Sequence, residues 1–343
     1  MTLEQALELH KSGQIQAAEQ AYRQHLDTVP EDADALHLLG VLCQQRGDHE
    51  QAGELIRRAI GLEPERAQFH LSLGGVLMHL GEEAAARASF ETALALDPNS
   101  VEAHALAGHV QLHQGDMSGA ESRFKIARRA DEEDPLILLG LGNIYLARRD
   151  AVNAAKFLSR AAERKPDDVA IQIALGQALF DQGTFAFAEQ AFANALRLQP
   201  QLSVAKLYLA RARLRQDKTD AARELFAELI ADDAQTFGAN AGLGDVARKG
   251  GHVVKALKFY RRALAIDPAQ PGAANACAWC MEQLGDLDAA VQYLSEGLER
   301  EPAADELRAP LAALLDRLGR AAEAARVREA AIGSDRKVEV GSA

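Results

Sequence analysis

AQFHLSLGGVLMHLGEEAAARASFETALALDP, residues 67–98, is the stretch that decides the fold. Ala86, Phe90 and Ala93 stand four and then three residues apart, so they share one helical face. Gly74 lies twelve residues before Ala86, and two such small residues let two helices approach closely. A larger side chain at either place would overpack the contact, at about 1–3 kcal/mol. Gly81 falls five residues before Ala86, where a glycine tolerates the left-handed backbone that ends a helix before a tight turn. Pro98 closes the segment, because proline biases the residue before it away from helix. The unit reads as helix A, turn, helix B, short loop.

The frame extends in both directions. Alanine recurs every 34 residues ten times, at Ala18, Ala52, Ala86, Ala120, Ala154, Ala188, Ala222, Ala256, Ala290 and Ala324. The twelve-before place holds Gly40, Gly74, Gly108, Gly142, Gly176 and Gly244, and alanine in the other four copies. The turn glycine recurs in eight copies, with Arg149 and Asp217 in the other two. The closing proline recurs from Pro30 to Pro302, with Glu132 and Ala234 standing in for it twice. Pro135 and Pro271 fall where the next helix begins, a favoured place for proline. The chain is therefore expected to be all-α, a stack of copies burying one continuous core.

The pattern resembles the tetratricopeptide repeat (TPR) family over residues 1–332. The copies run 1–32, 33–66, 67–100, 101–134, 135–168, 169–202, 203–236, 237–270, 271–304 and 305–332, and the polar tail 333–343 is expected to be disordered. The resemblance implies a single right-handed superhelical solenoid whose A helices line a concave face that binds peptides or helices. The family's tryptophan in helix A is replaced by Leu36, His70, His104 or Leu138, which is expected to loosen local packing. The first copy lacks its opening residues. In the last copy Pro310 is expected to kink or fray helix A, and Arg328 stands where other copies are apolar, leaving that end partly open.

Composition narrows the function. Apolar residues make up 48% and aromatics only 5%, which fits a core of Ala and Leu in close-packed helices. The net charge of −12 argues against general nucleic-acid binding. The opening MTLEQALELHKSG has no apolar signal region, and no apolar run is long enough to cross a bilayer, so a cytoplasmic, bacterial-style location without membrane insertion is expected. Cys43, Cys277 and Cys280 make no disulfide framework. Catalytic and nucleotide-binding signatures are missing, so no enzyme, cofactor or metal is expected.

Helix A residues away from the Gly and Ala contact are expected in the groove. In copies three to seven they are apolar: Leu71, Met78, Leu106, Leu112, Leu139, Leu146, Ile173, Phe180, Leu207, Tyr208 and Leu214. They either pack between neighbouring A helices or form a channel for a partner. Asn143 and Gln177 join them. Residues 206–262 carry 12 Lys and Arg against seven Asp and Glu, in contrast to the rest of the chain. Arg211, Arg215, Arg248 and Lys249 have groove spacing and are expected to receive the acidic side chains or terminal carboxylate of a protein or peptide partner. His109 and His113 share a helix face that His79 approaches from the preceding copy; groove histidines accepting hydrogen bonds are expected there rather than zinc ligands. Cys277 and Cys280 read as buried thiols inside a helix, and Trp279 between them as an anchor for a ligand.

The expected function is a non-enzymatic scaffold that captures a protein segment in its groove. Two alternatives remain. Residues 17–42 look like repeats that precede bacterial glycosyltransferase or sulfotransferase domains, which makes the chain a substrate-recognition module. The open C-terminal end makes it a self-assembling solenoid. The chaperone-binding TPR pattern is matched only at Asn143, and the asparagine ladder of protein O-glycosyltransferases is replaced by Leu38, Ser72, Leu106, Gly140, Ala174 and Tyr208.

Overall fold

The structure, a computed structural model, describes residues 2–233 and 236–329. The described residues form helices and no strand. They fall into two compact units, Met1–Ala178 and Leu179–Ala343. The first holds α1 (Leu3–Lys11), α2 (Ile15–Thr28), α3 (Ala33–Gln45), α4 (His49–Leu62), α5 (Ala67–His79), α6 (Glu83–Leu96), α7 (Val101–His113), α8 (Met117–Arg128), α9 (Pro135–Ala147) and α10 (Ala151–Arg164). The division falls within α11 (Val169–Asp181). The second unit continues with α12 (Phe185–Leu198), α13 (Ser203–Arg215), α14 (Thr219–Asp232), α15 (Phe237–Lys249), α16 (Val253–Ile266), α17 (Pro271–Gln283), α18 (Leu287–Arg300) and α19 (Arg308–Arg317), and residues 321–329 are helical. Odd-numbered helices are A helices and even-numbered ones B helices. The fold is an all-α helical repeat solenoid. The tail at 333–343 and the loop residue Ala234 lie outside the described residues.

The alanine ladder is fully buried at all ten positions. The small residue of helix A meets the bulky residue sixteen positions later on helix B. A Cβ added to Gly108 would lie 2.9 Å from the Phe124 ring, one on Gly40 2.7 Å from Ile56, and one on Gly142 2.5 Å from Leu158. Only a hydrogen fits there. Aspartates begin several helices: Asp32 accepts from Ala35 N at 3.0 Å, and Asp134 accepts from Leu136 N at 2.8 Å ahead of Pro135. These caps satisfy amides that have no partner inside the helix.

The turn between the two helices has positive φ in all ten copies, including Arg149 (59°) and Asp217 (64°), where no glycine is available. A left-handed backbone is costly for a residue with a Cβ. Gly47 (φ 83°) has no atom near where a Cβ would stand, so backbone strain alone selects glycine there. Arg149→Gly is expected to raise stability by about 0.5–1 kcal/mol, measured by urea denaturation, and Gly47→Ala to lower it by about 1 kcal/mol.

Two expectations about local structure need correcting. Loss of the family tryptophan does not leave a loose helix start. His70 Nε2 lies 2.8 Å from Pro64 O, His104 Nε2 3.0 Å from Pro98 O, and Gln172 donates to Pro166 O at 3.0 Å. In these three copies the polar side chain ties helix A to the carbonyl six residues back. Arg308 does the same to Pro302 O at 2.7 Å. Pro310 does not kink a helix of full length. The tenth copy opens with a 3-10 turn, Asp305–Leu307, and α19 starts at Arg308. Pro310 thus sits in the first turn, where its missing N–H costs nothing.

Candidate functional site

In the second unit, the last turns of α13 and α15 and the middle of α17 enclose a cavity of about 590 Å³. Five residues expected in the groove line it together: Leu214, Arg215, Arg248, Lys249 and Trp279. Asp245 is a sixth that sequence reasoning missed. Its signal was its place one turn before Arg248, where a carboxylate can hold a guanidinium.

The four basic residues are not equivalent. Arg248 is fixed from below: its Nε donates to Tyr260 Oη at 3.2 Å, its Nη2 donates to Asp245 Oδ1 at 3.2 Å, and Tyr260 Oη donates to Asp245 at 2.7 Å. Burial, helped by the Asp245 charge, pushes the Tyr260 hydroxyl well above its ordinary range, so it remains a donor. The Arg248 guanidinium also lies 5.6 Å from the Trp279 ring centre. Lys249 pairs with Asp217 and donates to Leu214 O at 3.0 Å. Both cations are already engaged. Arg215 is exposed, and its guanidinium stands 4.5 Å from the Phe185 ring centre. Arg211 lies 5.5 Å over the Tyr208 ring. Neither Arg211 nor Arg215 has a carboxylate partner among the described residues. An aromatic face orients a guanidinium without neutralising it, so these two remain ready to take a carboxylate.

In the first unit, α3, α5 and α7 line a cavity of about 570 Å³. Of the expected residues it gathers Leu71, Met78, His79, Leu106 and His109. Sequence reasoning missed His37, Gln44, Gln68, Ser72 and Glu102, which face the same cavity. The 34-residue frame already held the clue, since His37 and Leu71 occupy one position in successive copies. His37 Nε2 lies 2.9 Å from Ser72 Oγ. Burial pushes the His37 imidazole down to about 4.

The three histidines considered for a metal go separate ways. His79 stacks on His49 with ring centres 4.5 Å apart. His109 Nε2 lies 2.9 Å from Leu136 O, and burial lowers its pKa. His113 lies 3.6 Å from Glu83. Among the described residues no three His, Cys, Asp or Glu gather as a metal cluster.

The remaining expected groove residues line neither cavity. Leu112 and Leu139 pack against buried clusters, and Leu207 packs where a side chain on Gly238 would stand. Tyr208 stacks on Phe192 at 5.4 Å and Phe180 meets Tyr208 edge-on at 6.3 Å. Asn143, Leu146, Ile173 and Gln177 are half-buried along α9 and α11. Cys277 and Cys280 are fully buried, and burial pushes their thiols up to about 12 and about 11. Neither has the thiolate character of a redox centre. Among the described residues no helix is long and apolar enough to cross a membrane.

The comparisons agree with this architecture. The profile of the cilia and flagella-associated protein 70 C-terminal domain matches residues 2–201. Tetratricopeptide repeat profiles match residues 207–271 and 247–309. No curated protein is similar to the chain in sequence. Among solved structures, yeast Tom70 is similar at 14% identity and a TM-score of 0.53, over 96% of this chain and 90% of that one. PilF of Pseudomonas aeruginosa is similar at 18% identity and a TM-score of 0.51, over 60% of this chain and 93% of that one. At these identities the likeness concerns the fold alone. The repeat frame, the helix pairs and the profile that covers more than half of the residues converge: the chain belongs to the tetratricopeptide repeat family.

Proposed function

We propose that this protein is a non-enzymatic cytoplasmic scaffold that captures an acidic segment of a protein partner, interspersed with apolar residues, in the cationic cavity of its second unit. The supporting observation is the convergence of Arg215, Arg248, Lys249, Leu214 and Trp279 on one cavity, with Arg215 exposed and, among the described residues, without a carboxylate partner, while the cavity's one carboxylate, Asp245, is held by Arg248 and Tyr260. Leu214 and Trp279 offer apolar surface beside the charge, the pairing of features that carries binding energy in an interface. Arg248, held by Asp245 and Tyr260, sets the position of the cation without being the one that is free to be neutralised. Among the described residues nothing specific favours the transferase-module or self-assembly reading.

Trp279 is the chain's only tryptophan, so occupancy of this cavity reports itself in the protein's own fluorescence. Titration with an acidic, leucine-containing peptide is expected to change that emission. Replacing Arg211 and Arg215 by Glu is expected to weaken binding at least about tenfold and to flatten its dependence on salt. Unchanged affinity and salt slope in the double variant would reject the reading.

A further inference from the structure

Four repeat junctions share a side-chain pair that the 34-residue frame alone does not reveal. A residue in the second turn of a B helix reaches the residue 27 positions later, just past the end of the next A helix. Glu19 bridges Arg46. Arg87 donates to Gln114 at 3.1 Å, Arg148 donates to Glu121 at 2.6 Å, and Gln216 donates to Glu189 at 2.8 Å. At the junction of the seventh and eighth copies the same places hold Arg223, on α14, and Gly250, just after α15. The guanidinium remains and its partner side chain is gone. Among the described residues Arg223 has one carboxylate neighbour, the exposed Asp220 on its own helix at 2.6 Å.

A cavity of about 490 Å³ occupies this junction. Leu243 and Phe259 supply apolar wall, and His252 and Lys255 stand with Arg223 around it. No carboxylate lines it, and it shares no lining residue with the cavity of Arg215 and Trp279. Lys255 has no ion pair among the described residues. The surroundings are therefore cationic and half apolar, inside a basic segment of an acidic chain.

We propose that this cavity is a second docking site, and that its occupant is an acidic peptide segment in which Glu or Asp alternates with a bulky apolar residue. The partner's carboxylate takes the place vacated at Gly250 and pairs with Arg223 and Lys255. The neighbouring apolar side chain covers Leu243 and Phe259. Charge complementarity selects this class of occupant, because every polar group lining the cavity is basic.

The test uses the full chain carrying Arg215→Glu, which weakens the other cavity, and the probe acetyl-Glu-Leu-Glu-Leu-Glu-Leu-amide. Gly250→Glu then supplies an internal carboxylate to Arg223. Gly250 does not use the left-handed backbone (φ −79°), and an added Cβ would meet the edge of the movable His252 ring at 3.2 Å and Ala247 O at an ordinary contact of 3.6 Å, so this variant is expected to fold with unchanged circular dichroism. Binding followed by calorimetry is expected to weaken at least about tenfold in Gly250→Glu and, independently, in the double variant Arg223→Ala, Lys255→Ala. The counterpart peptide with Gln for Glu is expected to bind at least about tenfold more weakly to the Arg215→Glu protein, and Trp279 emission to stay unchanged on binding. No binding in the Arg215→Glu background, equal binding of Glu and Gln peptides, or indifference to Gly250→Glu would overturn the proposal. Those results leave the Arg211 and Arg215 test untouched, so the two sites stand or fall separately.

Discussion

Phe124→Ala is expected to cost about 3–5 kcal/mol, the largest single-residue loss in the first unit. The ring is fully buried and serves two copies at once. On one side it fills the space over Gly108 of its own copy; on the other it lies against Gly140 of the next, closely enough that a Cβ on either glycine would collide with it. His109 meets it edge-on with ring centres 5.0 Å apart. Truncation empties a site that the surrounding backbone, already at closest approach, cannot close. In a stacked array such a loss acts first on nearest neighbours. Hydrogen exchange should therefore show lost protection in α7, α8 and α9 before the rest of the unit, and urea denaturation should show a lowered midpoint. A loss under about 1 kcal/mol would mean that the glycines do not hold the helices against that ring.

The second large effect is on pH dependence and belongs to His37. Its ring is buried against Phe69, with centres 4.7 Å apart, and beside Ser72. Burial disfavours the imidazolium and pushes the pKa down to about 4; Asp34 draws it up and Arg66 presses it down. Those two neighbours face each other at 2.7 Å, which leaves burial in charge. In unfolded chain the same imidazole titrates near about 6.5. Between these values the unfolded chain binds more protons, so this contribution is complete above the unfolded value and is lost as pH falls through the window. The loss is expected to reach about 2 kcal/mol at pH 5 and about 3 kcal/mol near pH 4. His109, also lowered by burial, adds in the same direction. Denaturant titrations between pH 7.5 and 4.5 check this: His37→Gln should keep the hydrogen-bonding capacity toward Ser72 and flatten the slope. An equally steep slope in that variant would assign the acid sensitivity to other groups.

The fold was legible because its main constraint is steric and recurs at a fixed interval. A position with room only for a methyl group declares itself when alanine returns ten times, and all ten copies of Ala18 and its counterparts are fully buried. The frame also placed Arg149 and Asp217 at the turn position, where the structure shows a left-handed backbone for both. The cationic cavity was legible for a related reason. Charge is conspicuous against an acidic background, and periodic spacing told which charges share a helix face.

The rest was hidden by chemistry that carries no such mark. Gln44, Gln68 and Ser72 are neutral and unremarkable in composition, yet they form the polar part of the first unit's cavity. Whether Arg248 was open to a partner depended on Tyr260, twelve residues away on another helix. Leu207 looked like groove lining, but the absence of a side chain on Gly238 draws it into packing. His70 and His104 looked like poor substitutes for tryptophan because their value lies in a carbonyl six residues back.

The shared ring at Phe124 also bears on how such a chain can change over generations. Tandem arrays gain and lose whole periods easily, and equal length suggests that any copy can replace any other. The seams say otherwise. The place that is Gly140 opposite Phe124 becomes Tyr208 opposite Phe192 and Gly242 opposite Phe226. Excising residues 135–168 would leave Ala174 facing a ring that tolerates only hydrogen. Each seam is a lock cut for its own key, so the inheritable module runs from the middle of one copy to the middle of the next.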